Sequence, residues 1–335
     1  MSGQVDSAKQ MKIACIGEVM VELVAKPDGA AQIGVAGDTY NTAVYLKKLS
    51  TQEASSQPAL DISYVTALGT DLFSQRITAE IERHGLGGTH IDYRDAEMPG
   101  LYAIDTDDKG ERSFSYWRSQ AAARSLFQEP CNVSLSSLMS FDVIYLSGIT
   151  MAILWPETRD RLMAFLSDFR AAGGKVAFDS NYRPRLWEDA ETARKITMAM
   201  WALADIALPS LDDEMALFDD KSEADVLARL HKAGVRYGAL KRGAEGPLAL
   251  NGESLNGEAN GEANGEAGDA IYAAVTNITD TTAAGDSFNA GFLYGYATTG
   301  AIEDALQIGH ALAAEVIQSS GAIVDSAIET MKRNP

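Results

Sequence analysis

The sequence predicts an α/β protein built on a mostly parallel central sheet covered on both faces by helices. From Phe141 onward, short apolar strands alternate with helical patterns in strict succession, and such alternation builds parallel βαβ units. Those strands are near-continuous apolar runs, as they must be when helices cover each side. A hairpin of alternating polarity before position 118 adds a smaller and more exposed sheet.

Ile13–Gly17 reads as the first buried strand and Met20–Val24 as a half-exposed second one. A glycine turn at Gly34–Gly37 leads into a helix running on through Leu46, with Asp38 as candidate N-cap. Ile62–Thr66 is a strand, and Leu72–His84 an amphipathic helix ended by Gly85. Leu101–Asp105 and Arg112–Arg118 form the hairpin around Asp107-Asp108-Lys109-Gly110. Its period of two puts Tyr102 with Ile104, and Tyr116 with Arg118, on shared faces.

Strands at Val143–Leu146, Val176–Asp179, Ile206–Pro209 and Tyr237–Lys241 then alternate with helices over Pro156–Ala171, near Ala190–Leu203, and over Glu223–Ala233. Ligands of such sheets bind at the carboxyl ends of the strands. There the chain carries Asn181 and Arg183; Ser210, Asp213 and Glu214; and Lys241, Gly243 and Gly246. Asn251–Asp269 repeats Asn-Gly-Glu without apolar content and reads as a mobile insertion between strands at Leu248–Leu250 and Ile271–Ala274. An extended segment near Val275 leads to Asp280–Gly291, where a small-residue turn opens a helix carrying Phe288, Phe292, Leu293 and Tyr296. Ala301–Ser319 is the last amphipathic helix, followed by a surface tail, and residues 1–11 are a flexible start.

A net charge of −19 over 335 residues, with no Lys/Arg run, argues against nucleic acid as a partner. The first residues lack a signal-peptide core and no apolar run matches a membrane span, so the expected location is the cytoplasm. Cys15 and Cys131 form no CxxC pattern and read as reduced core residues. His84, His90, His231 and His310 show no HExxH spacing, and no protein-built metal site is expected. A Walker loop, a GxGxxG after the first strand and a GxSxG elbow are all missing.

The Asp280–Gly291 stretch offers the chemistry. Free N–H groups at a helix start attract anions, and Ala283, Ala284 and Gly285 have almost no side chain to keep a phosphate away. Asp286, inside that pocket, is either a general base for a substrate hydroxyl or an ordinary helix-start carboxylate. Asn41 either points into a pocket toward sugar hydroxyls or faces solvent beside a capping Asp38, and local sequence alone favours the second. Tyr102, Tyr116 and Arg118 are either a plain surface hairpin or a lid whose arginine pairs with a ligand carboxylate. An acidic substrate entering so acidic a protein needs a local cation of this kind.

Asp280-Thr281-Thr282-Ala283-Ala284-Gly285-Asp286-Ser287-Phe288 and Ala36-Gly37-Asp38-Thr39-Tyr40-Asn41 resemble the two signatures, DTxGAGDxF and GGxxxN, of the ribokinase-like PfkB family of carbohydrate kinases; Ala283 and Ala36 stand where the family has glycine. The resemblance implies a three-layer α/β/α kinase domain over residues 12–330, with a small β-sheet lid drawn from about 19–36 and 89–118. Gly37–Tyr45, Pro99–Tyr102, Gly110–Arg112, Tyr116–Arg118, Asn181–Trp187 and Asp280–Asp286 are similar to the branch that phosphorylates the 6-hydroxyl of 2-keto-3-deoxy-D-gluconate with ATP.

By that resemblance Asp286 is the base and Ala283, Ala284 and Gly285 the anion hole. Gly37, Asp38, Asn41, Tyr102, Tyr116, Arg118 and Arg183 contact the sugar, while Asn181, Ser210, Lys241, Gly243, Gly246 and Gly285 lie toward ATP. Mg²⁺ is expected to arrive with ATP, with Asp213 or Glu214 in its outer shell, because the family's NxxE motif is altered here to Ser210…Asp213. The implied partners are a sugar acid and ATP, within a homo-oligomer; the alternatives are a neutral-sugar kinase of the fructokinase or ribokinase type, or a silent sugar- or nucleotide-binding regulator.

Overall fold

In the first strand, Ile13 and Cys15 point to one side and Ala14 and Ile16 to the other, all buried, and each pair joins a different hydrophobic cluster. The strand is therefore covered on both faces and has no use for a polar one. The structure is a computed structural model that describes residues 10–26, 28–51, 60–106, 112–251, 272 and 275–333. The Asp107–Gly110 turn, the Asn-Gly-Glu insertion beyond Asn251, the strand expected at Ile271–Ala274 apart from Tyr272, and the start of the chain through residue 9 lie outside those residues.

The strands are β1 (Lys12–Ile16), β2 (Met20–Ala25), β3 (Ala31–Ala36), β4 (Asp61–Leu68), β5 (Ile91–Tyr93), β6 (Leu101–Thr106), β7 (Arg112–Trp117), β8 (Val143–Ser147), β9 (Lys175–Asp179), β10 (Ile206–Ala207), β11 (Gly238–Leu240) and β12 (Leu248–Leu250). The central sheet runs β12-β11-β10-β9-β8-β1-β4-β5 and is parallel except for β12, which pairs antiparallel with β11. The order reverses between β1 and β8, which opens a crevice at the carboxyl edge. A second sheet, β3-β2-β6-β7, stands over that edge as the lid. Ile91–Tyr93, inside the span read as lid, pairs with β4 in the central sheet instead.

On one face pack α1 (Asp38–Ser50), α8 (Ala284–Thr298), α9 (Ile302–Val316) and α10 (Asp325–Arg333), burying Tyr40, Tyr45, Phe292 and Leu312. The other face carries α3 (Gly148–Ile153), α4 (Pro156–Ala171), α5 (Ala190–Leu203), α6 (Leu211–Phe218) and α7 (Glu223–Ala233), around Phe169, Phe178 and Trp201. Helix α2 (Leu72–Arg83) adds Ile77 and Ile81 to the first cluster. Helices α8 and α9 approach so closely that a Cβ on Gly291 would lie 2.7 Å from the Cα of Gly309.

Three further expectations need correcting. Gly34 is not in a turn: residues 31–36 pair with β2 from Ala36↔Met20 to Ala31↔Ala25. Asp38 does not cap its helix, since Gly37 occupies the cap position and Asp38 is the first helical residue. The chain after Ser319 is no surface tail, because Val324, Ala327 and Ile328 are buried in the core beside α9.

Candidate active site

Both signature turns deliver their helices to the same crevice. Ala283 precedes α8 with a left-handed backbone, φ 61°, which turns the chain sharply into the helix. Its methyl packs against the lid cluster of Met20, Ala36, Tyr102, Ile104 and Ala322. The first-turn N–H groups of Gly285 and Asp286 then have no acceptor within the helix and open toward the cavity.

Asp286 lies half-buried on the floor of a cavity of about 1630 Å³. Asn41 Nδ2 donates to its Oδ2 at 2.8 Å, and Thr42 Oγ1 donates to its backbone carbonyl at 3.1 Å, so α1 fixes both ends of the residue. Asn41 itself is only 4% exposed, which settles its local ambiguity against solvent. The Asp286 carboxyl is pushed up to about 8, first by burial and next by the Asp38 charge, with the Asn41 hydrogen bond pulling the other way. Asp38 accepts from Ser147 Oγ and, at 2.9 Å, from Asn181 Nδ2, and burial raises its carboxyl too.

Below this turn lies a polar network of which the sequence singles out only Lys241. Lys241 Nζ donates to Asp179 Oδ1 at 2.9 Å and Asn289 Oδ1 at 3.2 Å. Asn289 Nδ2 in turn donates to Asp179 Oδ2 at 2.7 Å and to the Tyr145 hydroxyl at 3.0 Å. A Cβ on Gly285 would stand 3.7 Å from Lys241 Nζ, so the ammonium sits against the turn. One signal was available: Asn289 is polar on an otherwise apolar stretch of α8, three residues after Asp286.

The lid supplies the opposite wall. Tyr102 and Tyr116, paired across β6 and β7, hold their rings 5.8 Å apart, and Tyr102 donates its hydroxyl to Glu22. Arg118 lies 5.9 Å from the Tyr116 ring and is ion-paired with Glu18, a buried residue in the link between β1 and β2 whose carboxyl is raised by burial against the pull of Arg118. Sequence reasoning passed over Glu18 because its partner lies 100 residues away.

Most of the expected residues meet here. Gly37, Asp38, Asn41, Tyr102, Tyr116, Arg118, Asn181, Arg183, Ser210, Asp213, Lys241 and Ala283 through Asp286 all line the cavity. Gly243 and Gly246 do not; they sit in the short turn after β11, with Gly246 against Tyr272. Glu214 is fully buried on Arg229 at 2.8 Å, and burial pushes it up to about 7. Asp213, by contrast, faces the cavity and accepts from the Tyr182 backbone at 3.1 Å. Arg124 is a further cavity residue, stacked 5.6 Å over Trp155.

A helix N-terminus holding a carboxyl, under a lid of aromatics and an arginine, suits phosphoryl transfer to a polyhydroxylated substrate. The family model described as pfkB family carbohydrate kinase matches residues 10–330, and the chain belongs to that family. The chain is 45% identical to a 2-dehydro-3-deoxygluconokinase of Dickeya dadantii over 93% of its own length and 96% of that protein. It is 42% identical to the enzyme of the same name from Escherichia coli K12, over 93% and 97%. A fructokinase with bound ATP from Xylella fastidiosa superposes with a TM-score of 0.75 at 21% identity, covering 96% of this chain and 98% of that one, which bears out the fold.

Proposed function

We propose that this carbohydrate kinase is a 2-dehydro-3-deoxygluconokinase, moving the γ-phosphoryl group of ATP to the 6-hydroxyl of 2-keto-3-deoxy-D-gluconate. The observation that carries the reading is Asp286: a carboxyl tuned to about 8, oriented by Asn41, beside unpaired N–H groups at a helix N-terminus. A general base works best when its pKa lies near the working pH. Asn41 engages Oδ2, which leaves Oδ1 to take the proton of the attacking hydroxyl.

The transferring phosphoryl group carries charge on its equatorial oxygens, and the N–H groups of Gly285 and Asp286 lie where they can accept it without reorganising. Lys241 adds positive charge from beneath the turn. The lid gives the preference for an acid: Arg118, oriented by Glu18 and Tyr116, presents its remaining donors toward the substrate carboxylate, with Arg183 on the cavity wall. ATP lies toward the carboxyl ends of β9, β10 and β11. A divalent ion, Mg²⁺ in this reading, would enter with the phosphates, and Asp213 is the cavity carboxylate suited to hold its water shell. Among the described residues no three His, Cys, Asp or Glu side chains gather to hold a metal unaided.

Coupled ADP release on a panel of 2-keto-3-deoxygluconate, fructose and ribose tests the reading. Turnover confined to the acid is expected; a preference for a neutral sugar, or no turnover at all, rejects it.

A further inference from the structure

Arg112, at the start of lid strand β7, does not line the cavity, yet it reaches across to the loop that precedes α8. Its Nη1 lies 2.5 Å from Asp280 Oδ2 and donates to Thr282 Oγ1 at 3.2 Å; its Nη2 donates to Ser320 Oγ at 3.1 Å. Asp280 is almost wholly buried, its side chain 3% exposed, and already organises the chain around it. One oxygen accepts from the Thr282 N–H at 3.0 Å and the other from the Gly321 N–H at 2.8 Å. These bonds, with Arg112, hold its carboxyl below the usual range despite burial.

We propose that Arg112 is a positioning residue that locks the lid to the anion turn, so that the sugar site and the phosphoryl-transfer site are assembled together. The inference rests on the kinase reading above but not on the identity of the sugar. The chain of contacts is short: β7 carries Tyr116 at one end and Arg112 at the other, Arg112 fixes Asp280 and Thr282, and the next residue is Ala283, the hinge of the turn. A ligand that holds β7 over the cavity therefore also holds the turn in the conformation that presents its N–H groups. A strand tied only by its hairpin would close without any effect on the turn. Two ligands that favour the same assembled state must raise each other's affinity by the same factor.

The test measures the affinity of the accepted sugar with and without a non-hydrolysable ATP analogue, by calorimetry, in wild type and in Arg112→Ala, Arg112→Lys and Asp280→Asn. In wild type the analogue should tighten sugar binding at least fivefold. Arg112→Ala should bring that factor close to one and cut kcat by about a hundredfold, the scale expected when reacting groups lose alignment, while the KM for ATP at saturating sugar rises by about the lost factor. Arg112→Lys should recover part of both. Asp280→Asn, which keeps the side-chain shape and loses the charge, should reproduce the loss of coupling. A folded Arg112→Ala protein that keeps the wild-type coupling and kcat overturns the proposal, and so does a wild type with no coupling. If the accepted sugar proves to be neutral, the sugar-acid reading falls while this measurement runs unchanged on that sugar.

Discussion

The body and the lid meet at one cavity but are built in opposite ways. Body residues are held by other body residues: Asp286 by Asn41 and Thr42, Lys241 by Asp179 and Asn289, Asp38 by Ser147 and Asn181. Six of these nine are buried, while Asp38, Lys241 and Asp286 are partly open to the cavity, and each hydrogen bond restricts a side chain to one direction. The lid instead shows aromatic surface, with Tyr116 51% and Trp117 61% exposed, and is tied to the body by two ion pairs with buried carboxylates, Arg118 with Glu18 and Arg112 with Asp280. Preorganised groups belong where charge develops in the transition state, while adaptable surface belongs where a substrate must enter and leave. Chemistry should therefore fail with changes in the body, and substrate choice with changes in the lid.

The largest effect should come from Asp286→Asn, which is expected to lower turnover a hundredfold or more with nucleotide affinity largely kept, in the range of a missing general base. Near-normal turnover would remove the base from the body. In the wild type kcat/KM should rise with pH and level off above about 8, since the carboxyl must lose its proton to act. Stability has the opposite sign. A carboxyl raised from 3.8 to about 8 in the folded protein binds a proton that the unfolded chain releases, so the wild type loses stability as pH rises from about 4 to about 8. The Tm advantage of Asp286→Asn should accordingly grow between pH 5 and pH 8, and a constant difference would contradict the raised value.

Arg118→Ala should raise the KM for the sugar acid by about tenfold to a hundredfold, the worth of a charged hydrogen bond, with the KM for ATP nearly unchanged. It also leaves Glu18 buried without its partner, so Glu18→Gln with Arg118→Ala serves as the control: the KM effect should persist in the double variant while any loss of Tm recovers. Equal effects on both KM values would erase the distinction between lid and body. Gly285→Ala should reduce kcat on the order of tenfold through the turn that accepts transferring charge. Its Tm should hold, because the new methyl meets Lys241 Nζ at an ordinary 3.7 Å. Tyr116→Ala, on an exposed ring, should alter the sugar KM only a few-fold and the stability by about 0.5 kcal/mol or less.

What the sequence disclosed follows the same division. Pro156–Ala171, Ala190–Leu203 and Glu223–Ala233 end where their periodicity and end signals say they should, because start and stop chemistry is local. The polar loops after β9, β10 and β11 were placed correctly at the carboxyl edge by the alternation of strands and helices. Local chemistry misled at Asp38 and Asn41, where a cap beside a solvent-facing Asn was the plain reading. Both side chains are recruited instead by Ser147, Asn181 and Asp286, more than 100 residues away. The same distance hid Glu18 and the Tyr145–Asn289 pair. Helix α10 went unread because its few apolar residues become a core only once α9 stands beside them.

Position 283 has a mechanical consequence. Glycine would adopt φ 61° freely, whereas alanine accepts it at a cost of roughly 1 kcal/mol. In return its methyl packs against the cluster of Met20, Ala36, Tyr102, Ile104 and Ala322, most of which the lid strands supply. With glycine there, the turn could flex independently of the sheet above it. The alanine gives turn and lid a common stiffness, so the compliance of the turn that the proposed mechanism uses for phosphate is set by the strands packed above it.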